Sequence, residues 1–210
     1  MAKDERGSVG RDRANCDVKR HSEELRAVFG VTGRIMLYEL VSTDIGPIGV
    51  VVRIANGRER LVAVRVGHPT IAATEIDILG KHPDSRPIKD SEAAGLLLAY
   101  AKTGVADFDA IDLDDEQETR FNRAVRQACR SIPFGETMSY GELGERAGVG
   151  RAAARAVGSV MRRNSCPIVV PCHRVVPAGG TNALGNYSAP SGPALKLKLL
   201  ELERSALVVG

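Results

Sequence analysis

No stretch of this chain approaches the roughly 18–20 unbroken apolar residues that a membrane-spanning helix needs, so no part is expected to enter a bilayer. The charged start Met1-Ala2-Lys3-Asp4-Glu5-Arg6 leads into no apolar run. No secretory signal is therefore expected, and the expected compartment is the cytoplasm, or the nucleus in a eukaryote. Cysteine is sparse. Cys16, Cys129, Cys166 and Cys172 make no CxxC pair and no framework of the kind that staples a short secreted chain, which argues against disulfides. A dominant charge sign is also lacking, since the 210 residues sum to only +3. That small total hides an asymmetry. From Arg120 to Arg174 ten Arg stand against three acids, Glu136, Glu142 and Glu145, so this segment is +7 and the remainder −4. A basic block in an otherwise slightly acidic chain points to a polyanionic partner, with a merely solvated face as the plain alternative.

Residues 1–33 mix seven basic and six acidic residues with little apolar periodicity, and 1–34 reads as a mobile arm with a candidate short helix over 22–29. Short β-branched runs at 35–42, 48–54 and 60–66 predict three strands. Asp44-Ile45-Gly46-Pro47 and Asn56-Gly57 supply the turns, Asn-Gly being a strong hairpin signal. A loop over 81–89 and a helix over 91–102 follow. A linker then leads to a helix starting near Asp115, where Asp115 and Glu118 resemble a capping box. Phe121, Ala124, Val125, Ala128 and Cys129 share one face of that helix, which places Cys129 in the core.

The stretch 139–147, the turn Gly148-Val149-Gly150 and the stretch 151–163 read as a helix-turn-helix. Its second helix carries Arg151, Arg155, Arg162 and Arg163, a basic pattern that suits DNA. Pro167-Ile168-Val169-Val170-Pro171 reads as a buried, extended run. The last helix, over 194–203, places Leu195, Leu199 and Leu202 on one side.

Pro171-Cys172-His173-Arg174-Val175-Val176 is the most informative hexapeptide. Imidazole and guanidinium beside a thiol favour its anion, and the anion is the nucleophile. Adjacent residues of an extended chain point opposite ways, so either the backbone turns here or His173 acts through a bridging water.

Around this hexapeptide lie Arg155-Ala156-Val157-Gly158 and Asn164. Upstream are Ile132-Pro133-Phe134-Gly135-Glu136-Thr137 and Ser139-Tyr140-Gly141-Glu142-Leu143. Downstream are Gly185-Asn186-Tyr187-Ser188 and Leu199-Leu200-Glu201-Leu202-Glu203. Together they closely resemble the O6-alkylguanine-DNA alkyltransferases, the methylated-DNA–protein-cysteine methyltransferases. The resemblance covers about residues 105–204 and is fainter from Ile35. It implies that Cys172 accepts the alkyl group of O6-alkylguanine once and irreversibly, with O4-alkylthymine as a further candidate. It implies that His173 takes the thiol proton through a water, that Glu203 orients His173, and that Asn164 is the hinge before the active-site strand. Tyr140 is the expected proton donor to the leaving guanine. Ser188, Tyr187, Val175 and Met161 form the expected base-binding set. The family inserts its second helix into the minor groove of double-stranded DNA. Arg155 is then the finger that fills the space of the flipped base, and Arg151, Ala154, Arg162 and Tyr140 are further DNA contacts.

The resemblance implies an α/β protein in two parts. A small amino-terminal domain of ribonuclease-H-like fold spans 35–104. A linker over 105–114 joins it to a mainly helical carboxy-terminal domain over 115–210, which bears the helix-turn-helix and one active-site strand. No cofactor and no required metal are expected, since Cys16, His21, His68 and His82 do not match a zinc pattern. A monomer is expected. Departures from the family pattern are Ser165-Cys166 before Pro167, where Pro usually follows the hinge Asn, a loop after Tyr187 about two residues longer than usual, and no Trp near Val125. Competing readings are a non-catalytic binder that flags alkylated bases, a helix-turn-helix regulator, and a cysteine hydrolase.

Overall fold

The β-branched runs form a sheet. In the computed structural model, which describes residues 36–55, 58–179 and 187–209, they are β1 (Met36–Val41), β2 (Ile48–Ala55) and β3 (Arg58–Val66). β1 and β3 both pair antiparallel with β2, from Met36↔Arg53 to Val41↔Ile48 and from Ile48↔Val66 to Ala55↔Arg58. The two-residue β4 (Arg86–Pro87) adds parallel to β1, giving the order β3-β2-β1-β4. The expected turn at Asp44–Pro47 closes with Gly46 donating to the Thr43 carbonyl at 3.0 Å, and Gly46 has φ +109°, which glycine adopts without strain. Asn56-Gly57 and the expected arm over 1–34 lie outside the described residues.

β2 is buried from Ile48 through Arg53, the signature of a strand covered on both faces. One cover is α1 (Ile71–Lys81), capped by Thr70, a helix that the apolar pattern does not predict. Its buried face is only Thr74 and Ile78, while Ile76 and Leu79 point outward and blur the periodicity. It lies so close to the sheet that a Cβ on Gly49 would stand 2.5 Å from Ile78 Cδ1. On the other face, α2 (Glu92–Thr103), capped by Ser91, buries Leu97 and Tyr100.

α3 (Arg120–Arg130) begins five residues later than expected. Thr119 caps it, and the expected box at Asp115 and Glu118 does not form. The Asp115 carboxylate pairs with Arg123 and that of Glu118 with Arg126, so neither is free to cap. A capping box forms instead at Ser139 and Glu142, opening α4 (Tyr140–Arg146). A 3-10 turn (Arg151–Ala153) then leads into α5 (Ala154–Arg162), and β5 (Met138–Ser139) pairs with β6 (Val175–Val176). The last helix, α6 (Gly192–Val209), extends six residues beyond its expected end.

The result is a mixed α/β fold with an amino-terminal sheet and carboxy-terminal helices. Its main core is continuous, running from Leu37 and Val50 through Phe108 and Ile111 to Val157, Cys172 and Leu199. That continuity anchors the carboxy-terminal loops on the sheet. Among the described residues no helix is long and apolar enough to cross a membrane.

Candidate active site

One side-chain amide shapes the segment that carries Cys172. Asn164 follows the end of α5; its Nδ2 donates to the Val170 carbonyl at 2.8 Å and to Cys172 Sγ at 3.1 Å, and its Oδ1 accepts from Cys166 N at 3.1 Å. The loop so clamped is pinned to β3, where Val64 N donates to the Ser165 carbonyl at 2.8 Å. Residues 167–171 are therefore not the extended run that their composition suggests. They turn, with Ile168 in the left-handed region at φ +75°, and Cys172–Arg174 forms a 3-10 helix. The strand β6 begins only after the cysteine. The backbone does turn at Cys172, yet no direct hydrogen bond joins the Cys172 and His173 side chains among the described residues, so the turn alone does not link them.

Behind this turn lies a buried ionic cluster centred on Glu203. The carboxylate is fully buried. It meets His173 Nε2 at 2.7 Å and accepts from Tyr100 Oη at 2.7 Å, Gly135 N at 3.0 Å, Arg174 Nε at 2.9 Å and Arg174 Nη2 at 2.9 Å. Burial works against its charge, but the bonds from His173 and Arg174 outweigh that and hold its pKa at about 2. An ionised Glu203 can only accept, so the proton of His173 sits on Nε2 and the lone pair on Nδ1. Nδ1 is buried and has no partner. Burial also pushes the His173 pKa down, against the pull of Glu203, so the ring is a neutral base at pH 7.

Arg174 does not serve the thiol as the sequence suggests. Its guanidinium is committed to Glu203, to the Ile132 carbonyl at 2.6 Å and to the Phe134 ring, 4.2 Å from its centroid. The expected lowering of the Cys172 pKa is corrected as well. Burial raises it, and Asn164, the Tyr187 hydroxyl and the Lys196 charge offset this only in part. The resting group is a thiol. Lys196, buried with Nζ 2.6 Å from the Val175 carbonyl, was not foreseen; burial lowers its pKa, and an anion on Cys172 raises it again. Tyr100 was also missed. Lys196, Leu199, Leu200 and Glu203 recur at helical spacing on one face, a signal that could have placed both charges inside.

A cavity of about 340 Å³ brings together Cys172, Asn164, Tyr187 and Ser188. Ser188 is exposed at its mouth, whereas the Tyr187 hydroxyl is buried with no hydrogen bond of normal geometry. Met161 and Val175 are buried and do not line this cavity. Tyr140 opens α4 beside α5, its ring 3.8 Å from where a Gly158 Cβ would stand, and burial followed by the Cys172 charge raises its pKa. On α5, Arg155 and Arg162 are exposed and have no partner among the described residues, and Ala154 is half-buried; in the 3-10 turn before it, Arg151 is engaged by Glu145 through two bonds of 3.0 Å. Cys129 and Cys166 are buried free thiols. Cys16, His21, Gly185 and Asn186 lie outside the described residues. No group of three His, Cys, Asp or Glu among the described residues could hold a metal.

Residues 120–205 match the family model described as the DNA-binding domain of 6-O-methylguanine DNA methyltransferase. A methylated-DNA–protein-cysteine methyltransferase of Mycobacterium leprae is 46% identical over 114 residues, 54% of this chain and 65% of that protein. One from Methanosarcina acetivorans is 42% identical over 114 residues, 54% of this chain and 69% of that protein. The chain thus spans about two thirds of the length of these relatives. Among solved structures, the O6-methylguanine methyltransferase of Mycobacterium tuberculosis superposes with a TM-score of 0.65 at 33% identity, covering 82% of this chain and 94% of that one. The M. tuberculosis OGT solved in complex with DNA gives 0.61 at 33% identity, covering 80% and 93%.

Proposed function

Because the chain belongs to the methylated-DNA–protein-cysteine methyltransferase family, we propose that it repairs DNA by moving a methyl or other alkyl group from O6-alkylguanine onto its own Cys172. One observation carries this reading. A buried thiol faces a cavity next to a neutral, buried histidine that Glu203 holds with its lone pair free.

The chemistry then follows from the two opposed pKa shifts. With the thiol raised and the imidazole lowered, a thiolate–imidazolium pair is unfavourable at rest. Proton transfer to His173 Nδ1, through one bridging water, becomes favourable only as the sulfur bonds to the alkyl carbon. The carbon–O6 bond breaks, its electron pair goes to guanine, and Tyr140 supplies the proton that guanine needs to leave neutral. Lys196 offsets the anionic character of the sulfur, Glu203 offsets the positive charge of the imidazolium, and the thiol proton held by His173 finally replaces the one that Tyr140 gave to guanine. The product is a thioether, which water does not cleave. The reaction needs no cofactor.

The substituent under attack is blocked inside a duplex, so the nucleotide has to rotate out, at a cost of roughly a few kcal/mol. The α4–α5 pair serves as a helix-turn-helix in the minor groove, with Arg155 filling the vacated stack and Arg162, Arg151 and Ala154 against the backbone. Ser188 and Tyr187 hold the extruded base, whereas Met161 and Val175, expected to join them, are buried away from the cavity lining. The amino-terminal sheet and its helices form the ribonuclease-H-like part, joined through residues 105–114 to a transfer domain over 115–210. The whole acts as a monomer.

Two results are expected. Mixed with a tenfold excess of O6-methylguanine duplex, the protein removes one lesion per chain and then stops; continued turnover overturns the reading. Replacing Tyr140 with Phe slows single-turnover transfer by about 100–10,000-fold, the usual scale of one general acid, with little change in duplex affinity. A parallel loss of affinity would instead make Tyr140 a binding group.

A further inference from the structure

The carboxylate that orients His173 is also held from the amino-terminal half of the molecule. Tyr100, fully buried on α2, donates its hydroxyl to Glu203 Oε1 at 2.7 Å. That oxygen is the one that meets His173 Nε2 at 2.7 Å. Two features fix the placement. At the end of α2, Gly104 has φ +81° and passes so near α6 that a Cβ on it would stand 2.6 Å from the Leu202 carbonyl oxygen, one residue before Glu203. The Tyr100 ring packs against Phe108 and Phe134, at centroid distances of 5.8 and 6.2 Å. The carboxylate does not need this donor to stay ionised. Arg174 supplies two bonds and the counter-charge, and Gly135 N supplies a third bond. What the hydroxyl adds falls on the oxygen that His173 shares.

Resting on the alkyl-transfer reading above, we infer that Tyr100 is a positioning residue of the transfer site, acting through Glu203 to keep His173 a free base. A hydrogen bond donated to a carboxylate oxygen draws off part of its negative charge, so an imidazolium on that oxygen is stabilised less. Without the hydroxyl, the fuller charge on Oε1 favours imidazolium, and a ring protonated on Nδ1 has no lone pair for the thiol proton. Burial and the Glu203 charge push the Tyr100 pKa up, so it donates throughout. The other charges facing His173 are Arg174 beside it and Lys196 on α6, both of which disfavour its protonation. Burial raises the pKa of Cys172, Cys129 and Tyr187, which are neutral at rest. The amino-terminal half thus contributes to the basicity of the site as well as to its packing.

Two readouts test this. The His173 pKa is followed by NMR titration of the histidine Cε1–H signals, its own signal being the one lost in His173→Gln. The acid limb of the pH–rate profile is measured for single-turnover methyl transfer. Tyr100→Phe keeps the ring contacts and moves both upward by about 0.5–1 pH unit, the scale of one neutral hydrogen bond, with transfer retained on the alkaline side of the limb. Tyr100→fluorotyrosine, with the fluorine beside the hydroxyl, is a stronger donor of nearly the same shape and moves both downward. Leu97→Ala removes core packing on the same helix but no hydrogen bond, and it lowers stability while moving neither. A His173 pKa that stays put in Tyr100→Phe, or that shifts the same way in both Tyr100 variants, makes Tyr100 a packing residue and overturns the inference. Should the Phe variant not fold, the fluorotyrosine shift decides alone, and its absence overturns the inference. The titration needs no DNA, so a wild-type protein that transfers no methyl group at any pH removes the alkyl-transfer reading, while the titration separately decides whether Tyr100 sets the base.

Discussion

Cys172→Ser leaves the protein folded and able to bind alkylated duplex, but transfer falls below detection, by at least about three orders of magnitude. A serine hydroxyl fits the space of the thiol and can accept the Asn164 amide that the sulfur accepts at 3.1 Å. Stability should therefore change by less than about 1 kcal/mol, as for a near-isosteric swap that keeps its hydrogen bond. Reactivity is another matter. The thiol is already held above its ordinary pKa by burial, which Asn164, Tyr187 and Lys196 offset only in part. A hydroxyl ionises far less readily still, and the same partners cannot close that gap. Single-turnover assays beside gel-shift titrations check this. Wild-type rates in the variant would move the chemistry elsewhere in the chain.

Glu203→Gln has a comparably large effect by a different route. Glu203 is buried and serves His173, Arg174, Tyr100 and Gly135 at once. Losing its charge strands Arg174 in the interior, which costs about 3–5 kcal/mol, as when one partner of a buried ion pair is removed. It also frees His173 to adopt the wrong tautomer, so transfer should fall by about two to four orders of magnitude. Acid provides the control. The folded pKa of Glu203 is about 2, below its ordinary 4.5, so its contribution is complete above about pH 4.5 and is lost as pH falls toward 2. A depression of this size corresponds to about 3 kcal/mol. Urea unfolding at pH 7 and pH 3 should thus show the wild-type advantage over Glu203→Gln shrinking in acid. An advantage independent of pH would mean that the carboxylate is not held as described.

What could be seen in the sequence, and what could not, divides along physical lines. β-Branched runs place β1, β2 and β3 within a residue or two, because burial on a sheet needs those side chains. α1 escapes notice because its exposed Ile76 and Leu79 are as apolar as its buried Ile78. The segment around Cys172 is misjudged for a deeper reason. Composition describes Pro167–Pro171 as extended, but three bonds of one Asn164 side chain and the left-handed Ile168 bend it into a turn, and neither leaves a periodic trace. The pKa of Cys172 is misjudged for a similar cause. Neighbours in sequence suggest a charge partner in Arg174, whereas in space that charge belongs to Glu203, 29 residues away. The residues at the centre of the site, Cys172, His173 and Glu203, were nevertheless all visible, because a Cys-His pair within its surrounding motifs is rare enough to stand out.

The most direct test is peptide mass mapping after one exposure to duplex DNA containing O6-methylguanine. The account predicts that the peptide bearing Cys172 gains one methyl group, in proportion to lesion lost, while the peptides of Cys129 and Cys166 stay unmodified. Lesion loss with an unmodified Cys172 peptide, or tight lesion binding with no mass gain anywhere, would contradict it.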